Sequence, residues 1–293
     1  MDKRTKTKIE MAEEKKNMPT VDDQYQRLIE YFWRNSYQIV GREKGHEQKT
    51  FPDVFGCGFV LEHKDQFIFI TADHVIHKAD SEAGERTGKE YNYEIICNKN
   101  TTQNGVIETI CQPIGGFISF DKYDFGKYLR GEEELEVALI PDIQDYAFAE
   151  FNQIWFEEMF THELLFDGVT LVKEGILKIY IPDNSFAKPD REHKYFVIGT
   201  IPNKFDGIKW QRANALHQGL TFIGEEQGLY KFANPLPIVE KEWSGLSGSA
   251  FYDDRKCLVG MLVRAVDGDN FVWVIPINTI VTMIDQMIQI KQL

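Results

Sequence analysis

From Gly56 to Pro141 the chain is cut into short apolar runs, GCGFVLEH, FIFITADHVI, YNYEIIC, VIETICQPI and EVALIP, separated by charged or turn-forming residues. Runs of this length, rich in β-branched and aromatic residues and bounded by turn signals, read as strands. A second block repeats the texture with ILKIYIP, KYFVIGTIP, LTFIG, LYKFANP, SAFYDD, CLVGMLVRAV and NFVWVIPI. Two blocks of many short strands predict sandwiches or barrels.

Helices bracket the strands. Residues 1–19 are charged and aperiodic and read as a mobile tail closed by Pro19. Thr20 and Asp23 have capping-box spacing, and Tyr25, Leu28, Ile29, Phe32 and Trp33 follow at helical intervals, so the spacing predicts a helix over 20–36. The first strand block covers 37–144. A connecting segment covers 145–174, and its aromatic-rich stretch 145–166 reads as a linking helix. The second strand block covers 175–277. Asn278 is expected to cap a C-terminal helix over 278–293, with Ile280, Ile284, Met287 and Ile288 on one face.

Composition removes several function classes. At 293 residues and 43% hydrophobic content, the chain can bury a sizeable core. Its net charge of −13 argues against nucleic acid and against acidic membranes as partners, since both require clustered cations. No apolar region follows the basic N-terminus, and no stretch is long enough to span a membrane, so neither a secretory signal nor a membrane anchor is expected. Cys57, Cys97, Cys111 and Cys257 show no C-x-x-C pairing, which fits free thiols in a cytoplasmic protein. His74 and His77 form H-x-x-H, a spacing without the i, i+4 geometry of zinc proteases, and no metal or cofactor is expected.

The stretch Gly245-Leu246-Ser247-Gly248-Ser249 sets a serine between glycines. Such residues serve turns, and they also serve a nucleophile that needs backbone N–H groups around an oxyanion. A serine hydroxyl needs a base, most often histidine. All seven histidines lie upstream of Ser247, and strands rather than a helix follow it, which excludes the α/β-hydrolase order.

The remaining order, histidine then acid then serine, resembles the chymotrypsin/trypsin-like serine peptidases, in particular their bacterial HtrA-like branch. FGCGFVL looks like that family's opening strand, and Thr71-Ala72-Asp73-His74-Val75 like its T-A-x-H-V motif. Glu136-Val137-Ala138-Leu139 is similar to its D-[IV]-A-L strand, and Gly245-Leu246-Ser247-Gly248-Ser249 to G-x-S-G-[GS]; these motifs fall in the family's order between residues 50 and 280. The resemblance implies an all-β fold of two six-stranded antiparallel β-barrels, with the N- and C-terminal helices added.

It further implies Ser247 as nucleophile, His74 as general base, Glu136 as the orienting acid, and the N–H groups of Gly245 and Ser247 as the oxyanion hole. Glu136 replaces the family's aspartate, and Asp73, Asp124 and Asp142 are alternatives. Val75 stands where secreted relatives carry a half-cystine, and Leu246 where digestive relatives carry an aspartate. By position, Lys241 or Glu242 falls near the base of the primary pocket, and Val263, Arg264 and Ala265 on the strand that pairs with substrate. Lys241 and Arg264 would favour an acidic residue at the cleavage site if turned inward; as solvent-exposed cations they would not. The expected activity is endopeptidase cleavage of protein or peptide substrates, with room for a regulatory protein partner. The alternative is a weak or inactive protease-like scaffold that binds a peptide or partner protein.

Overall fold

The computed structural model of the protein describes residues 22–45, 51–77, 88–99, 108–119, 145–205 and 210–289. Most of the regular structure is β. The N-terminal half holds β1 (Tyr37–Glu43), β2 (Val54–His63), β3 (Gln66–Thr71), β4 (Tyr91–Lys99), β5 (Glu108–Ile114), β6 (Ile118–Ser119) and β7 (Ala147–Glu150). Their order across the sheet is β5-β4-β1-β2-β3-β7-β6, and an eighth strand, β10 (Ile181–Pro182), pairs parallel to the far end of β2. The pair β8 (Leu164–Phe166) and β9 (Val169–Val172) stands apart.

The C-terminal half is a closed six-stranded barrel, running β11 (Tyr195–Phe205), β12 (Trp210–Glu226), β13 (Leu229–Ala233), β16 (Phe271–Pro276), β15 (Leu258–Ala265) and β14 (Ala250–Asp253). One of the two expected barrels is thus present. A second closed barrel is not found among the described residues, because the outer strands β5 and β6 follow each other in the chain without pairing.

The segment 145–166 is not the expected helix. Its start is β7, which pairs with β3 in the register Thr71↔Ala147 and Ile70↔Phe148, and a single 3-10 turn follows over Gln153–Glu157. The alternation that marks a strand is hidden there because Ala147, Phe148 and Ala149 are all buried.

Helix α1 (Asp23–Asn35) forms where the 3.6-residue spacing predicted it. Its N-cap is Asp22, whose carboxylate accepts from the Gln24 N–H, rather than Thr20, which lies outside the described residues. The helix braces the barrel against the segment that precedes it. Phe32 is fully buried and stacks on Tyr252 of β14 at 4.4 Å between ring centroids, with Phe196 of β11 at 5.4 Å. Trp33 Nε1 donates to the His162 carbonyl at 2.7 Å, and the Tyr25 hydroxyl to Gln218 Oε1 at 2.7 Å. At the other end Lys178, itself buried, donates to the carbonyls of Trp33 and Ser36, placing a cation at the negative end of the helix. Burial lowers the pKa of this ammonium to about 7.

The C-terminal helix α4 spans Ile277–Gln289, so Asn278 lies in its first turn instead of capping it. Ile280, Ile284 and Met287 are buried as the periodicity predicted, and Asp285 binds His63 Nε2 at 2.7 Å. All four cysteines are free.

Because Phe32 fills the seam between α1 and the barrel, Phe32→Ala should leave a cavity and cost about 3–5 kcal/mol. Chemical denaturation of wild type and variant measures this; a loss comparable to that of an exposed phenylalanine would contradict the bracing role.

Candidate active site

His74 sits in α2 (Asp73–Ile76), a single turn directly after β3. The turn presses closely on β2, where a Cβ on Gly56 would lie 2.4 Å from a methyl of Val75. A glycine in the GCG stretch therefore lets the residue next to His74 seat against the sheet. The imidazole stays partly open to solvent, with 43% of its side-chain surface accessible.

The carboxylate on His74 is that of Asp145. Its Oδ2 lies 2.7 Å from His74 Nδ1, and its Oδ1 accepts the His74 backbone N–H at 3.0 Å. Both bonds follow from sheet register: β7 sets Ala147 opposite Thr71, so the residue two before Ala147 arrives beside the turn that begins after Thr71. The position assigned to Glu136 on the imidazole is thus taken by Asp145, while Glu136, Asp124 and Asp142 lie outside the described residues. Asp73, the remaining alternative, binds His77 Nδ1 at 2.8 Å. A signal for Asp145 was in the sequence, since Asp145-Tyr146-Ala147-Phe148 has the same acid-x-Ala-apolar form as Glu136-Val137-Ala138-Leu139.

Desolvation pulls the His74 pKa down, but the hydrogen bond and charge of Asp145, with the charge of Asp73, outweigh it, and the net shift is upward. With Nδ1 committed to Asp145, Nε2 is the nitrogen available to a reacting group.

Ser247 lies in the loop between α3 (Glu240–Trp243) and β14 and is partly exposed. This loop is held to the N-terminal sheet. The Cys57 N–H of β2 donates to the Ser247 carbonyl at 2.9 Å. Gly248, at φ +88°, fits a notch where a Cβ would lie 2.1 Å from the Cys57 carbonyl oxygen, 2.5 Å from Thr71 Oγ1 and 3.0 Å from the Ala72 nitrogen. No other residue type could follow the serine here without pushing the loop off Thr71-Ala72, the two residues that lead into α2. Cys57 itself is fully buried, and burial raises its thiol pKa, as suits a small core residue.

Within the loop, backbone donors are used selectively. The N–H of Leu246 donates to the Trp243 carbonyl, that of Gly248 to Leu262, and that of Ser249 to Leu246. The N–H groups of Gly245 and Ser247 take no backbone carbonyl among the described residues. Gly245 stands at φ +93°, a conformation that disfavours other residues. Leu246 is fully buried and packs against Gly199 of β11.

The residues expected to meet substrate fall in two places. Val263, Arg264 and Ala265 lie on β15 beyond its last pairing with β14, Ala250↔Met261, while pairing with β16 continues to Ala265. This leaves one edge of the strand available for addition of an extended chain. Val263 is buried, and Arg264 is exposed with its guanidinium 5.3 Å from the Trp273 ring centroid. Lys241 is exposed on α3 between Glu240 and Glu242, where these three and Ser244 rim a concavity floored by Ile201, Ala215 and His217.

No protein family's sequence model matches the chain, and no curated protein matches it. Among solved structures, the chain is similar to a serine endoprotease from Yersinia pestis, at 12% identity and a TM-score of 0.49, covering 92% of this chain and 68% of that one. It is also similar to Deg5, at 15% identity and a TM-score of 0.45, covering 90% of this chain and 95% of that one. At such scores neither likeness bears on what this chain does.

The His74–Asp145 pair fixes the sign of a pH effect. A histidine whose folded-state pKa is raised contributes stability that is full below its unfolded value of about 6.5 and is lost as pH rises through the folded-state pKa. NMR titration should place the His74 pKa above 6.5, and Asp145→Asn should lower it. An unchanged His74 titration in Asp145→Asn would contradict the pairing.

Proposed function

We propose that this protein is a serine endopeptidase, with Ser247 as nucleophile, His74 as general base and Asp145, in place of Glu136, as the residue that orients the imidazole. The observation that carries this reading is the pair of hydrogen bonds that Asp145 accepts from His74, on a turn whose leading residues, Thr71 and Ala72, lie against the glycine following Ser247.

In the first step His74 Nε2 takes the Ser247 Oγ proton as Oγ bonds to the scissile carbonyl carbon. The electron pair displaced onto the carbonyl oxygen is received by the N–H groups of Gly245 and Ser247. Collapse of the tetrahedral species breaks the C–N bond, and His74 returns the proton to the leaving amine. Water, deprotonated by His74, then attacks the acyl-enzyme and frees Ser247. Asp145 stabilises the imidazolium formed in each half, and the chemistry described uses no cofactor. The upward shift of the His74 pKa suits an imidazole that must accept a proton, and it puts the acidic limb of the rate profile above 6.5.

Substrate enters as an extended strand along Val263–Ala265, which suits proteins or peptides in an open conformation. The exposed positions of Lys241 and Arg264 support no acidic preference at the cleaved residue. The scaffold reading draws on the glutamate at position 136 and on the N-terminal helix; the carboxylate of Asp145 on His74 favours the peptidase over it. Placement in the cytoplasm and a regulatory protein partner belong to the same proposal and rest on the sequence alone.

A fluorophosphonate probe should label the native protein, and labelling should vanish in Ser247→Ala and His74→Ala. Asp145→Asn should reduce turnover by about 10⁴-fold, whereas Glu136→Gln should leave it intact. Absence of labelling in wild type would sink the peptidase reading, and loss of turnover in Glu136→Gln alone would return the acid to Glu136.

A further inference from the structure

The loop that carries Ser247 is fixed on its downstream side by Gly248 and Ser249, but the peptide that must present the Gly245 N–H lies upstream, next to α3. A four-residue helix has little stability of its own, so its orientation depends on outside anchors. At its start the Glu240 N–H donates to Asp267 Oδ1 at 2.8 Å. At its end the anchor is His217 of β12. Its ring stacks on Trp243 with centroids 3.7 Å apart and planes 16° from parallel, and its Nε2 lies 3.0 Å from the Glu242 carbonyl oxygen. Trp243 is buried, and its own carbonyl accepts the Leu246 N–H, closing the turn around Gly245.

A carbonyl oxygen can only accept, so Nε2 is the donor in this contact, and burial lowers the His217 pKa, which favours the neutral ring. One imidazole thereby fixes the Glu242–Trp243 peptide plane through a hydrogen bond and the Trp243 ring through stacking. That peptide is two units before Ser244–Gly245. At Gly245 the backbone has the freedom to rotate its N–H out of the cleft, and Pro202 bounds the space on one side, 2.8 Å from where a Cβ would stand.

We propose that His217 is a positioning residue for the oxyanion hole: through Trp243 and the Glu242 carbonyl it holds the Gly245 N–H toward the cleft. Its role is exerted through Trp243 and the Glu242 carbonyl rather than on the reacting atoms. The inference rests on the serine-peptidase reading above, and its interest is that the residue lies 30 positions before the nucleophile, on a strand of the barrel wall that carries none of the reacting groups.

Two substitutions separate the contributions. His217→Phe keeps a ring to stack on Trp243 and removes the donor, whereas His217→Gln removes the ring and keeps an N–H near the place of Nε2. Both are compared with wild type for kcat, KM, thermal midpoint and affinity for a peptide boronate, whose tetrahedral adduct needs the oxyanion hole. His217→Phe should lower kcat by between about 10- and 100-fold, with KM little changed and boronate affinity falling in parallel. His217→Gln should recover part of both.

Retention of kcat and boronate affinity in His217→Phe despite a lowered thermal midpoint would show a purely structural histidine and overturn the proposal. A His217→Gln no better than His217→Phe would overturn it as well. If His217→Phe does not fold, His217→Asn, whose donor is too short to reach the carbonyl, takes its place against His217→Gln with the same expectations. Wild type must first label with the fluorophosphonate in a Ser247-dependent way; failure there counts against the peptidase reading itself, and failure only in the His217 comparison counts against this inference alone.

Discussion

The contact between Gly248 and the β2–β3 layer is the constraint on which the rest of the arrangement depends. The Ser247 loop belongs to the C-terminal barrel and the His74 imidazole to the N-terminal sheet, so no strand pairing within either half can bring them together. At the Ser247 loop they are joined by the backbone hydrogen bond from Cys57 to Ser247 and by a glycine lodged against Cys57, Thr71 and Ala72, while Ser36 Oγ donates to Ile198 and Cys57 Sγ to Thr200 elsewhere along the seam. Such close packing of backbone on backbone tolerates no side chain, and it seats the Ser247 loop on the layer that leads into His74.

The surroundings reinforce that seam. Thr71, fully buried, donates its hydroxyl to the Cys57 carbonyl at 2.7 Å, satisfying the oxygen against which Gly248 packs. Helix α1 ties the barrel to the segment before it, with Phe32 stacked on Tyr252 of the barrel and Lys178 fastening the carbonyls of Trp33 and Ser36. A buried ammonium bonded to carbonyls is costly to desolvate, and the rings of Trp33 and Tyr37, whose centroids lie 5.3 and 5.1 Å from it, offset part of that cost. The helix thereby reads as a fixed brace of the fold.

Much of this was legible in residue order. Helical spacing from Tyr25 to Trp33 marked α1, the short apolar runs marked most strands, and glycines around Ser247 marked a loop with open backbone donors. The stretch 145–166 misled because both faces of β7 are buried, which erases the alternation that identifies a strand. Two acid-x-Ala-apolar strings, at Glu136 and at Asp145, look alike in the sequence, and nothing in either string marks which one lies beside the histidine. The choice falls to register, because Thr71 opposite Ala147 delivers Asp145, and a shift by one residue would have turned its side chain to the other face.

By itself, then, the sequence determined the β-rich composition of both halves, the bracketing helices, and a histidine and a glycine-flanked serine in an order that admits acyl-transfer chemistry. These are local properties, set by spacing and by the backbone demands of glycine. Tertiary structure alone decided that Asp145 meets His74, that Gly248 seats the serine loop on the opposite half, and that His217 reaches Trp243 across the barrel wall. Each of these depends on strand register or on contact between distant elements, and neither quantity is carried by the residues one at a time.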